Sequence, residues 1–176
     1  MAPPKILNKY IIWIAGAVLS CNSHAQTESY DIIDDEQANV LGIELGSSEE
    51  ELLEAFGNYD SIEFYFDPIV DEDSTKRYYY KESFFDVYQD QVAGFTILND
   101  NYPLTYEHIK VGDPSDMIKK MFTNSFSQLS AAEKSDSEQL LVVRIADLER
   151  SIGYDVEIHL LLNQSILKRI SFWAPL

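Results

Sequence analysis

Apolar and polar positions change period along this chain, and the changes mark out its elements. After Gly46, Leu52, Ala55 and Phe56 fall on one stripe at helical spacing. Ser47 is placed to N-cap that helix, with Glu50 three residues on to close a capping box, and Gly57 stops it. Period two then takes over. Ser61 to Asp67 sets Ile62, Phe64 and Phe66 against Glu63 and Tyr65, and Lys76 to Lys81, Phe84 to Gln89 and Val92 to Leu98 continue as strands. Gln89-Asp90-Gln91 reads as a tight turn.

The same order returns later. Met117, Ile118, Met121 and Phe122 form a second helical stripe, with Asp113 as cap and Pro114 at the first helical position. Asp116 stands where Glu50 stood, and acids there complement the helix dipole. Leu140 to Ala146, Tyr154 to Leu162 and Ile166 to Trp173 are the strands, with Asn163-Gln164-Ser165 as the matching turn. That turn also fits a glycosylation sequon. The Ser-rich stretch from Thr123 to Ser137 lengthens the link and has room for another short helix.

Gly42 to Gly57 and His108 to Thr123 align without a gap. Ile43 falls on Ile109, Leu45 on Val111, Gly46 on Gly112, Leu52 on Ile118 and Phe56 on Phe122. The expectation is an α+β fold of two tandem repeats, each a short capped helix packed on an antiparallel β-meander. Residues 40–100 would form unit 1 and 101–176 unit 2, after a flexible segment at 26–39.

The motif I-x-[LV]-G-[SD]-[SP]-x-[ED]-x-[LI]-x-x-x-F, followed by an aromatic-rich meander, resembles the superfamily of β-lactamase-inhibitory proteins and SmpA/OmlA (BamE-type) outer-membrane lipoproteins. The resemblance implies tandem helix-plus-sheet units over nearly all of the chain beyond residue 25. There is one departure. The inhibitory proteins carry disulfides, whereas Cys21 is the only cysteine here. No functional residue carries over by motif.

The N-terminus adds a compartment. Lys5 and Lys9 precede a ten-residue apolar run, Tyr10 to Leu19. A membrane-spanning helix needs roughly 20 such residues, so the run suits a signal peptide. Two processing routes fit. Ser23-His24-Ala25 is a small-x-small cleavage site, giving a 1–25 signal peptide and a soluble periplasmic or secreted protein. Val18-Leu19-Ser20-Cys21 resembles a lipobox, which would lipidate Cys21 and tether the chain to the outer membrane. On either route no disulfide, zinc–thiolate site or cysteine nucleophile remains.

Charge narrows the partners. The chain has 176 residues and a formal net charge of −17, and losing residues 1–25 removes Lys5 and Lys9 to give −19. No basic stripe is available for nucleic acid, and anionic lipid surfaces are disfavoured for the same reason. A basic protein is the complementary partner, although acidity also serves solubility.

Catalytic patterns are lacking. His108 and His159 stand apart, with no H-x-H or H-x-x-x-H spacing, and no serine lies in G-x-S-x-G or S-x-x-K. There is no Gly-rich phosphate loop, and carboxylates are too numerous for a dyad to stand out. Asp71-x-Asp73-x-Thr75 lacks the central Gly and terminal Glu of a calcium loop. No metal or cofactor is expected. Asp71, Glu72 and Asp73 form the densest acidic run, and Tyr78, Tyr79 and Tyr80 flank it with Tyr65 and Tyr88 nearby. About half of these tyrosines must point away from the helix, and Tyr65, Tyr78 and Tyr80 are the candidates for binding. Carboxylates with amphipathic aromatics suit a protein interface. The expected function is non-enzymatic: a periplasmic inhibitor or immunity protein that blocks a basic cell-wall-active enzyme, toxin or β-lactamase. The alternative is a BamE-like lipoprotein with a scaffolding role.

Overall fold

The computed structural model describes residues 29–65, 75–147 and 152–173. Residues 1–25, with Cys21 and the cleavage site, lie outside them, as does the acidic run Asp71 to Asp73.

The first helix, α1 (Glu49–Phe56), starts one residue later than its spacing predicts. Ser48 is the N-cap: its hydroxyl accepts from the Glu51 N–H at 3.2 Å, and its own N–H donates to Glu51 Oε2 at 2.7 Å. Ser47 is used elsewhere, accepting the Glu44 N–H at 3.1 Å to fold the corner before the helix. The second helix, α2 (Ser115–Met121), repeats that corner. Asp113 Oδ2 accepts the Lys110 N–H at 2.8 Å, so Pro114 becomes the N-cap, without a side-chain bond. At both corners the residue expected to cap closes the preceding turn instead. The Ser-rich link holds two helices, α3 (Thr123–Gln128) and α4 (Ala131–Ser135), the latter with its own capping box from Ser130 and Glu133.

The strands are β1 (Ile32–Asp34), β2 (Ser61–Tyr65), β3 (Thr75–Tyr80), β4 (Ser83–Tyr88), β5 (Gln91–Ile97), β6 (Glu138–Asp147), β7 (Ile152–Asn163) and β8 (Leu167–Trp173). They form one sheet in the order β1-β6-β7-β8-β5-β4-β3-β2. The pair β1–β6 is parallel and the others are antiparallel, so the sheet is mixed. Gln89 and Asp90 join β4 to β5 with φ of 48° and 61°, the two left-handed residues that suit the twist of a two-residue hairpin.

Alternation decides which face is buried. Tyr78, Phe85, Phe95, Phe172, Ile158 and Val143 are paired neighbours across six strands, and all are buried. They join Leu52, Ile118 and Phe122 in one hydrophobic cluster, so the helices cover this face. The opposite row runs Tyr79, Phe84, Thr96, Ser171, His159 and Val142 and is only half-buried. That face has no helical layer among the described residues.

The two halves meet at β5 and β8, where Phe95 pairs with Phe172, Thr96 with Ser171 and Ile97 with Ile170. Matching bonds tie each corner to its sheet. Gly46 N–H donates to Val92 O, and Val92 N–H to Ser47 O, each at 2.8 Å. Gly112 N–H donates to Leu167 O, and Leu167 N–H to Asp113 O, again each at 2.8 Å.

The segment expected to be flexible is corrected in part. Residues 32–34 form β1, with Ile33 buried opposite Ile145. Asp31 anchors it, taking the Ser125 N–H at 2.8 Å and the Asn124 side-chain amide at 3.0 Å. The Asp31 carbonyl accepts the Arg144 N–H at 3.0 Å.

Candidate functional site

Tyr78 and Tyr80 do not form an exposed interface. They are 5% and 3% exposed and belong to the core. The physical reason is parity: Tyr78 pairs with buried Phe85, and Tyr80 shares its face two residues on. The Tyr80 ring packs on Phe56 and Phe85, and its hydroxyl is buried without a hydrogen-bond partner among the described residues. The Tyr78 hydroxyl donates to Glu49 Oε1. Burial, then that hydrogen bond, pushes the Tyr78 phenol up to about 12, and burial pushes Tyr80 up to about 12.

The tyrosine that reaches the open face is Tyr79, which donates to Glu63 Oε2 at 2.8 Å. Beside it, Arg77 lies 4.0 Å over the Phe84 ring and forks onto Asp86 at 2.7 and 2.9 Å. Tyr65 ends β2 opposite Thr75, so these two strands bracket the segment that carries Asp71, Glu72 and Asp73. His159 Nε2 lies 3.0 Å from Glu157 Oε2, and His108 is exposed elsewhere.

A second ionic cluster ties α1 to the sheet. Lys76 Nζ donates to Glu49 Oε2 at 2.6 Å and to Asp90 Oδ1 at 3.0 Å. Glu49 first, then Asp90, raises the Lys76 ammonium, and Lys76 holds the Asp90 carboxyl below its usual range. These acids are matched internally and hold the fold.

An open pocket of about 240 Å³ lies on the helix-covered face. Its floor is Ile145 of β6, Val156 of β7 and Phe172 of β8. Ala38, Leu45 and the carboxylates Asp35 and Glu44 complete the wall. Asp35 opens a 3₁₀ turn (Asp35–Gln37) that runs on directly from β1, and Glu44 stands on the corner before α1. The Glu44 carboxyl is raised, first by partial burial and then by Asp35, Glu36 and Glu51 around it. Crowded carboxylates over an apolar floor favour a guest with an aliphatic body and a positive end.

Sequence reasoning missed this pocket because its walls come from five elements, the 3₁₀ turn, the corner before α1 and strands β6, β7 and β8. One signal was present. Glu44 aligns with Lys110, so the two repeat segments differ in charge at that position. Among the described residues, no group of three His, Cys, Asp or Glu is placed to hold a metal, and no helix is long and apolar enough to cross a membrane. Comparisons with family models, curated proteins and solved structures give no match.

Proposed function

We propose that this is an exported, non-enzymatic protein that binds and neutralises a basic partner enzyme in the periplasm, as an inhibitor or immunity protein. The observation that carries the proposal is the formal net charge of −17 on this α+β chain, together with a Glu44 carboxyl raised first by partial burial and then by the acids Asp35, Glu36 and Glu51 around it. Opposite fields speed encounter and disfavour wrong partners. The block is steric, with Asp71, Glu72 or Asp73 entering a cationic cleft. Capture from an envelope extract at low salt tests it. The expected result is a basic enzyme whose activity falls on binding, and whose binding weakens when Asp71, Glu72 and Asp73 are changed to Ser. Binding indifferent to that change removes the acidic run from the mechanism.

We also infer that the fold is two tandem copies of one helix-plus-meander unit. The paired corner bonds at Gly46 and Gly112 support this, as does the antiparallel meeting of β5 with β8. The scaffolding alternative draws on Val18-Leu19-Ser20-Cys21. Labelling with a radioactive fatty acid, compared with Cys21→Ser, tests it: label on the parent chain alone supports a lipoprotein.

A further inference from the structure

We propose that the pocket between the 3₁₀ turn, the corner before α1 and strands β6 to β8 receives one lysine or arginine side chain of the basic partner protein. The assignment rests on the basic-partner reading and adds to it a specific place and chemistry. Three observations carry it.

The first is shape: an opening of about 240 Å³ is large enough for a four-carbon stem. The second is the lining. Ile145, Val156 and Phe172 give the stem an apolar floor, while Asp35 and Glu44 stand where its charged head would lie. Long cationic side chains bury their stems in this way and keep the head at a polar rim.

The third is the uncompensated charge of Glu44, since Asp35 already has interactions of its own. Lys76 and Arg77 satisfy Glu49, Asp90 and Asp86, but no described cation pairs with Glu44. Its electrostatic neighbours are Asp35, Glu36 and Glu51, all of the same sign. A cation from outside would relieve that repulsion. A neutral or anionic guest would not. The aligned Lys110 leaves only the unit 1 corner acidic at this position.

The test uses n-butylguanidinium and n-butylammonium as probes and n-butanol as a neutral control. Methyl signals of Leu45, Ile145 and Val156 are followed by NMR during titration. Saturable shifts with either cation and not with butanol are expected. The affinity should drop about tenfold in Glu44→Gln, as for removal of a central polar anchor. It should also fall as the pH is lowered and Glu44 takes a proton. Absence of shifts, equal shifts with butanol, or unchanged affinity in Glu44→Gln overturns the assignment. Glu44 is an exposed corner residue, so the variant should keep its fold, which the remaining methyl signals report.

Failure of this pocket and failure of the basic-partner reading are distinguishable. Cation binding without any captured basic protein supports the pocket chemistry and removes the partner reading. A captured enzyme that binds Glu44→Gln as tightly as the parent chain removes the pocket and keeps the reading.

Discussion

Tyr78, Tyr79 and Tyr80 are consecutive, chemically identical and differently used. Tyr79 reaches the open face, and the other two are core residues held by opposite means. Tyr78 donates to a carboxylate, whereas the buried Tyr80 hydroxyl has no hydrogen-bond partner among the described residues. Removing a buried hydroxyl that bonds to a charged group costs about 1.5–3 kcal/mol, while removing an unsatisfied one is neutral or stabilising. Tyr78→Phe should therefore lower stability in urea titration and Tyr80→Phe should not. Equal losses would contradict the assigned bonds. Both phenols sit above the usual value of 10, at about 12, so folding favours their protonated forms. Their contribution is intact below pH ~10 and is lost as pH rises through ~12. Absorbance at alkaline pH should show these two ionising late, together with unfolding. Glu44 has the same direction of shift on an acid: its raised pKa makes ionisation a cost to the fold. Glu44→Gln should leave stability level or raise it slightly at neutral pH, and that gain should vanish as pH falls through the carboxylate range. Parity made the three tyrosines partly legible, since one or two had to face outward. Which ones did so depended on pairing with Phe85, a long-range register that local alternation leaves open.

At the scale of elements, all seven strands expected from period-two alternation are present, with ends shifted by a residue or two. The eighth, β1, was illegible because it has three residues and draws its stability from Asp31 contacts far along the chain. The helix starts moved for a local reason. Ser47 and Asp113 each close a turn, which leaves capping to Ser48 in α1 and to Pro114 without a side-chain bond in α2. Ser48→Ala should cost about 1 kcal/mol by loss of the cap, measured by urea denaturation. Ser47→Ala should instead disturb the corner that carries Glu44, shifting pocket methyl signals without loosening α1. A larger stability loss at Ser47 than at Ser48 would contradict the observed cap.

Across the molecule, one sheet and one core join the two halves. Phe95 and Phe172 sit at the seam with ring centroids 4.4 Å apart. Residues 40–100 alone would leave the β5 edge and Phe95 exposed, so that fragment should not fold, as judged by amide-proton dispersion in NMR. A folded fragment would make the seam dispensable. The alignment of Gly46 with Gly112 and of the apolar positions around them was legible in sequence, whereas the strand order was not, because β5 pairing with β8 unites residues far apart along the chain. The pocket was hidden for the same reason. The acidic charge was legible from the start, and its function is the central claim. The most direct measurement is the activity of the captured basic enzyme titrated with this protein at low and high ionic strength. Stoichiometric inhibition is expected at low salt, weakening steeply as salt screens the opposed fields. A captured partner that stays fully active when saturated, or binding untouched by salt, would contradict it.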